Sequence, residues 1–169
     1  MIAVSDTGPL LYLSLINRTE LLPQIFEKVL IPPAVAEELS DTSTPQEASA
    51  LIERCPLWLQ IRDVPMTSLS LEHFGRGEQQ AITLAASVSA DVLLIDDRAA
   101  KDFATQVVNL AASGTIGVLY EAAMDELIPF TAADFDESVQ RLLTTNFHRT
   151  KTLLNAIHEL SRKLHERSS

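Results

Sequence analysis

The stretch Met1-Ile2-Ala3-Val4-Ser5-Asp6-Thr7-Gly8-Pro9 opens the chain. Its first five residues form a short apolar run that predicts a buried β-strand, and the residues after it predict a turn. An acidic residue, Asp6, follows this strand directly. A carboxylate beside an apolar segment is costly unless something compensates its charge, so Asp6 is the first candidate functional residue.

Strands and helices alternate along the rest of the chain, which is typical of parallel βαβ units. The sequence predicts strands at residues 1–5, 28–31, 59–64 and 91–95, with the 59–64 strand exposed. It predicts helices at residues 9–16, 19–26, 34–39, 47–55, 78–87 and 98–106. The stretches 107–110 and 114–120 follow, and a further helix continues to residue 124. The expected fold class is therefore α/β, with a parallel sheet buried between helices.

A domain boundary is predicted at Phe130-Thr131. Beyond it, apolar residues recur at helical spacing in two stretches, 135–142 and 153–164. We expect residues 1–130 to form the domain that carries the acidic residues. Residues 131–169 would form a C-terminal helical extension that packs on this body or on a partner.

The charge of the chain is unevenly distributed. The formal net charge is −10 over 169 residues, so overall attraction to phosphates cannot explain a nucleic-acid function. From Arg141 onward, however, six Lys or Arg residues stand against two acids. An acidic body with a basic tail can hold a polyanion beside an acidic metal site, although helix surfaces also vary in charge without any function.

Several classes of protein are disfavoured by composition. Cys55 is the only cysteine, which excludes a disulfide framework and a cysteine-based zinc site and fits the cytoplasm. The first residues lack the features of a signal peptide. The longest uncharged stretch, residues 103–120, is too polar to span a bilayer, so we expect a protein without a membrane partner.

Acidic residues recur where an α/β sheet gathers its functional groups. Asp6 and the pair Asp96-Asp97 each follow a predicted strand, and the carboxyl ends of parallel strands lie at one edge of the sheet. Helical spacing places Glu38 and Glu78 on the apolar stripes of their helices, so both are expected to point inward. Each acid also has a structural explanation as a helix cap or first-turn residue, but the joint pattern is harder to explain in this way.

Carboxylates that converge on one place repel each other unless a cation lies between them. Hard divalent cations such as Mg²⁺ and Mn²⁺ are the ions that carboxylate oxygens bind best. Such a site can activate a water molecule for phosphodiester hydrolysis. No serine, cysteine or histidine is placed like a covalent nucleophile, and the four histidines are expected at the surface.

Five motifs in order carry a family resemblance, the second of which runs from Ile31 through Leu39. The chain contains Val4-Ser5-Asp6-Thr7-Gly8-Pro9-Leu10, Ile31-Pro32-Pro33-Ala34-Val35, Glu38-Leu39, Gly77-Glu78-Gln79-Gln80-Ala81-Ile82, Leu94-Ile95-Asp96-Asp97-Arg98 and Gly114-Thr115-Ile116-Gly117-Val118-Leu119. This pattern resembles the PIN-domain family of metal-dependent ribonucleases, and most closely its prokaryotic branch of VapC-type toxins. The resemblance implies a three-layer sandwich with a small, mainly parallel sheet. It also implies an RNA substrate, an antitoxin partner and a homodimer.

The resemblance also implies roles for individual residues. Asp6 corresponds to the first metal-binding acid, Glu38 to the second and Glu78 to the third, where many members carry Asp. Asp97 corresponds to the fourth acid, with Asp96 as an additional metal ligand.

Other positions are of secondary rank or depart from the family pattern. Thr7 would orient a water molecule through its hydroxyl, and Asp102 is a weaker candidate acid. Lys101 stands where the family carries Arg, and Met124 where the branch often has Lys.

The leading hypothesis is a Mg²⁺- or Mn²⁺-dependent endoribonuclease that acts as the toxin of a toxin–antitoxin pair. An alternative from another class is a catalytically silent interaction protein whose acidic cleft binds a basic partner segment. A phosphatase or receiver-like protein is disfavoured, because the further Asp, Thr and Lys that such folds place after successive strands do not occur in order.

Overall fold

The computed structural model describes residues 1–169 as a five-stranded sheet surrounded by nine α-helices. All neighbouring strands run parallel, in the order β3-β2-β1-β4-β5. The strands are β1 (Ile2–Ser5), β2 (Lys28–Ile31), β3 (Leu59–Ile61), β4 (Val92–Leu94) and β5 (Ala112–Ser113). The predicted α/β class is confirmed, and the sheet is wholly rather than mainly parallel.

The helices follow the predicted alternation with small shifts at their ends. They are α1 (Thr7–Leu15), α2 (Leu22–Ile25), α3 (Pro33–Ser40), α4 (Gln46–Arg54), α5 (Arg76–Ser87), α6 (Arg98–Gln106), α7 (Thr115–Met124), α8 (Ala132–Leu143) and α9 (Lys151–Arg167). None of them combines the length and the apolar character needed to cross a bilayer.

Two local predictions need correction. The helix expected at 19–26 is a 3-10 turn (Thr19–Leu21) followed by the single turn of α2, because Phe26 already has an extended backbone that leads into β2. The strand expected at 59–64 ends at Ile61. The last strand, Ala112–Ser113, follows the stretch 107–110, where Asn109 has a left-handed φ of 59° and redirects the chain.

The sheet buries both of its faces, as the continuous apolar strands require. Ala3 and Val29 belong to a cluster of 28 buried residues on one face, together with residues of α1, α3, α4 and α7. Val4 and Leu30 belong to a cluster of 12 buried residues on the other face, formed with α5 and α6. Successive strand residues thus alternate between two cores, which makes the fold a three-layer sandwich.

The C-terminal helices α8 and α9 pack on the body of the same chain. Their apolar residues belong to the larger buried cluster. Arg18, just after α1, donates a hydrogen bond from Nε to Ser138 Oγ of α8 at 2.9 Å, and its guanidinium lies 5.3 Å from the ring centre of Phe130. The apolar faces that suggested a partner in the sequence are therefore covered by this chain itself.

Candidate metal centre at the carboxyl edge of the sheet

The strand order creates a topological switch point between β1 and β4. From β1 the chain builds outward through β2 and β3 on one side, and it then returns to add β4 and β5 on the other side. Ligands of open α/β sheets bind outside the carboxyl ends of the strands at such a point. Asp6 follows β1 there, and Asp96-Asp97 follow β4, with the Asp6 N–H donating to Leu94 O at 2.8 Å.

Asp6 is the most buried of the candidate acids, with 8% of its surface exposed. It occupies the N-cap position of α1, but its carboxylate makes no capping hydrogen bond. Burial raises the pKa of Asp6 to about 7. The backbone of Thr7 opposes this rise, and the charges of Glu78, Glu38 and Asp96 add to it. Capping therefore does not explain Asp6, whose charge is destabilised by burial and by three neighbouring carboxylates.

Asp96 is held by the first residue of α7. Its Oδ1 accepts the backbone N–H of Thr115 at 2.7 Å, and its Oδ2 accepts the Thr115 hydroxyl at 2.7 Å. Burial raises the pKa of Asp96, while the two Thr115 bonds and the nearby charge of Lys101 oppose that rise. A Cβ on Gly114 would lie 2.5 Å from Asp96 Oδ1, so this close approach requires glycine.

Glu38 differs from the sequence-based expectation. Glu38 is exposed, whereas Val35 and Leu39 of the same predicted stripe are buried. Its carboxylate nevertheless faces the site, since Glu38 Oε2 accepts the hydroxyl of Thr7. A Cβ on Gly77 of α5 would lie 2.7 Å from Glu38 Oε1. The neighbouring Glu37 points away, as expected, and pairs with Arg76 at 2.6 Å.

Glu78 and Asp97 both have capping roles. The Gly75 N–H donates to Glu78 Oε2 at 3.2 Å at the start of α5, and the Ala100 N–H donates to Asp97 Oδ1 at 2.8 Å at the start of α6. Burial raises the pKa of Glu78; the Gly75 N–H opposes this rise, and the charges of Asp97 and Glu38 add to it. These two acids therefore have a structural role and are also electrostatically coupled to the site.

The structure separates Asp102 from the site and gives Thr115 a role in it. Asp102 lies on the exposed side of α6 and faces Arg98 at 3.9 Å, so the structure does not bring it to the other acids. Thr115 was not singled out from the sequence, although it holds Asp96. Its signal was its place in the chain, because it follows Gly114 and opens a helix at the same edge of the sheet.

The donor set fits a hard divalent cation in its chemistry. Asp6, Glu38, Glu78, Asp96 and Asp97 offer only carboxylate oxygens, and none of them forms an ion pair with Lys, Arg or His within 4.0 Å. No three acidic, His or Cys side chains are gathered closely enough to hold a metal ion. Four of the carboxylates each accept a hydrogen bond from the chain itself, Glu38 from Thr7, Glu78 from Gly75, Asp97 from Ala100 and Asp96 from Thr115.

Comparison with known proteins gives the family. The chain is similar to a PilT N-terminus domain protein from the hyperthermophilic archaeon Sulfolobus solfataricus P2, with 14% identity, a TM-score of 0.48, and coverage of 89% of this chain and 100% of the other. No curated protein matches it. A family model described as PIN domain matches residues 2–163, and proteins of this family are generally nucleases that use divalent metal ions. This match confirms the resemblance to PIN domains, and the protein belongs to the PIN domain family.

Proposed function

We propose that this protein is a divalent-metal-dependent endoribonuclease whose centre is the acidic edge at the β1–β4 switch point. The observation that carries the proposal is the state of Asp6, which is buried, has no cationic partner and lies within the field of three further carboxylates. A folded chain keeps such a group at a cost in stability, and carboxylates of this kind are concentrated at functional sites. The family's general nuclease activity gives the same direction.

The residues of the site would have different roles in binding a cation. Asp6, Glu38, Glu78 and Asp97 would hold Mg²⁺ or Mn²⁺, and Asp96 would support the site from its fixed position on Thr115. When bound, the cation would offset the carboxylate charge, polarise a phosphoryl oxygen and make a nearby water molecule more acidic. Thr7 donates its hydroxyl to Glu38, so its role here is to position that carboxylate.

The biological role that we propose is that of a VapC-type toxin, with RNA as substrate and a small antitoxin as partner. The proposal rests on the order of the family motifs along the chain. A homodimer is proposed on the same basis alone, since the apolar faces of α8 and α9 are used within the chain. The mass of the purified protein in solution, measured by light scattering, tests the dimer.

A catalytically silent interaction protein is the second candidate. One observation favours it, namely that no three carboxylates are gathered at metal-holding distance. In that case the acidic edge would receive a basic segment of a partner, and the Asp6 charge would be offset by Lys or Arg side chains of that partner. The two candidates differ in their response to metal.

We expect millimolar Mn²⁺ or Mg²⁺ to raise the melting temperature of the purified protein. A ligand that binds only the folded state stabilises it by about 2.7 kcal/mol at a concentration one hundred times its dissociation constant. For a chain of this size, that corresponds to a shift of roughly 5–10 °C. Thermal melts in EDTA and in increasing metal measure the shift. Unchanged melts together with absent RNA cleavage would favour the silent protein.

Gly77→Ala should weaken metal binding without unfolding the protein. The added Cβ would meet the flexible end of Glu38 at 2.7 Å and displace its carboxylate, whereas Ala is well suited to the first turn of α5. We expect about tenfold weaker metal affinity and a melting temperature in EDTA within a few degrees of wild type. Gly75→Ala is the matched control, because its Cβ would lie 3.9 Å from Glu78 Oε2. Equal effects of both substitutions on metal affinity would contradict the role of Glu38.

A further inference from the structure

The loop between α8 and α9, residues 144–150, is anchored to α1. Its Phe147 is buried and meets the ring of Tyr12 edge-on, with ring centres 4.9 Å apart and planes at 90°. The Tyr12 hydroxyl donates to Asn146 Oδ1 at 3.4 Å. The loop therefore has a fixed position on the body of the protein.

Tyr12 places this loop beside the acidic edge. A Cβ on Gly8, in the first turn of α1, would lie 3.1 Å from Asp96 Oδ2. This face of α1 therefore lies against Asp96. Tyr12 is four residues further on, which puts it on the same face about 6 Å along the helix. The Asp96 charge also contributes, after burial, to a raised pKa of Tyr12. The α8–α9 loop thus lies next to the site, on the side of Asp96.

The loop and the start of α9 carry positive charge that no acid of the chain compensates. No Asp or Glu occurs between Glu137 and Glu159, the longest stretch of the sequence without an acid. His148, Arg149 and Lys151 are exposed within it, and none of them forms an ion pair.

The other end of α9 is different, because its arginines are neutralised by acids of the same chain. Arg162 pairs with Glu159 at 2.5 Å and also with Glu166, and Arg167 pairs with Glu126 at 2.9 Å. The positive charge of the basic tail is therefore available to a ligand mainly at the start of α9.

The charged side chains project from an ordered backbone. Arg149 donates from Nη1 to Leu143 O at 2.9 Å, which leaves other guanidinium N–H groups free for a ligand. The Thr150 hydroxyl accepts the Leu153 N–H at 3.1 Å and caps α9 just before Lys151. Two exposed cations on an ordered backbone next to the acidic edge suit a chain of phosphates better than a single small ion.

We propose that Arg149 and Lys151, at the α8–α9 loop, bind the phosphates of single-stranded RNA next to the phosphodiester that is cleaved. The inference rests on the proposed ribonuclease function and adds the surface that holds the substrate. It also explains how a chain of net charge −10 attracts a polyanion, since the attraction is confined to one short segment beside the site. His148, which is exposed and lies between Phe147 and Arg149 in the chain, extends the same surface.

The test is RNA binding by the Arg149→Ala/Lys151→Ala double variant, measured by fluorescence anisotropy with a labelled single-stranded RNA of mixed sequence in EDTA. Two lost phosphate contacts should weaken binding about tenfold at low salt and reduce the slope of log affinity against log salt by ~1.4. In cleavage assays KM should rise while kcat stays the same.

The matched control is Lys28→Ala/Lys163→Ala, which removes the same charge. Lys28 begins β2 at the amino ends of the strands, away from the carboxyl ends that carry the acids, and Lys163 lies about 18 Å along α9 from Lys151. This control should bind RNA within twofold of wild type. Arg149→Ala also removes the hydrogen bond to Leu143 O. Lys151→Glu therefore serves as a second variant, because the Lys151 side chain has no partner within the chain. It should weaken RNA binding by a similar factor.

The outcomes separate the two proposals. If wild type cleaves and binds RNA but both loop variants bind it equally well, the loop inference is wrong and the ribonuclease proposal stands. Equal losses in the loop variant and in the control also overturn the loop inference, because net charge alone would then explain binding. If wild type neither binds nor cleaves RNA, both proposals fail together.

Discussion

Asp6→Asn should abolish metal-dependent RNA cleavage and at the same time make the metal-free protein more stable. Loss of the central carboxylate removes a ligand from the proposed metal centre, so we expect activity to fall by more than about a hundredfold. Asn has nearly the same shape as Asp and carries no charge. The buried position of Asp6 can therefore accept it without the electrostatic cost that the carboxylate imposes.

The gain in stability should depend on pH in a defined direction. The pKa of Asp6 is about 7 in the folded protein, whereas its ordinary value is 3.8. Well below pH 3.8 the carboxyl is protonated in both states and costs nothing. Between pH 4 and pH 7 only the unfolded chain releases the proton, so the stability of wild type falls as pH rises through this window. The advantage of Asp6→Asn should be small, below about 1 kcal/mol, at pH 4 and reach about 2–4 kcal/mol at pH 8.

Urea unfolding in EDTA at several pH values measures this difference. Asp102→Asn is the comparison variant, since its carboxylate is exposed and faces only Arg98. It should change stability by less than about 0.5 kcal/mol and leave cleavage within a fewfold of wild type. An Asp6→Asn protein that cleaves RNA at the wild-type rate would falsify the proposed centre. One that is less stable than wild type at pH 8 would show that the carboxylate is structural.

Part of the site could be predicted from the sequence because strand ends have a fixed geometry. Asp6 and Asp96 follow parallel neighbours in the sheet, so their common edge follows from topology alone. The exposure of Glu38 could not be predicted in this way. Helical spacing indicates on which face of a helix a residue lies, but not where along the helix that face emerges from the core. Thr115 and the Tyr12–Phe147 contact join segments distant in sequence, and no local pattern encodes such pairs.

The same limit applies to the end of the chain. Apolar spacing correctly predicted two helices after Thr131, with ends close to those of α8 and α9. Spacing does not say what covers an apolar face, so a partner and the body of the chain were equally open. In the structure the apolar faces of α8 and α9 pack into the larger buried cluster. They contribute Phe135, Val139, Leu142, Ile157 and Leu164 to it. Removal of residues 131–169 would therefore expose part of the core rather than simply shorten a tail.

Phe135→Ala should destabilise the whole protein, and it tests whether residues 131–169 fold together with the body. Phe135 is fully buried, and its ring meets that of Tyr120 in α7 with centres 6.4 Å apart. Truncation of a buried Phe to Ala costs about 3–5 kcal/mol, a large part of the 5–15 kcal/mol that stabilises an ordinary domain. The melting temperature should fall by roughly 10 °C or more, in one transition seen equally by circular dichroism and by the fluorescence of Trp58.

Leu154→Ala in α9 is the matched control, because Leu154 is 40% exposed and its truncation should cost less than about 1 kcal/mol. Trp58 lies just before β3, far along the chain from Phe135, so its signal reports on the body rather than on the C-terminal helices. If Phe135→Ala melts in two steps, and Trp58 responds only in the later one, the C-terminal helices form a separate unit. A single shared transition means that Arg149 and Lys151 are held by the same cooperative core that positions Asp6. The surface proposed to bind RNA and the acidic edge then form and unfold together.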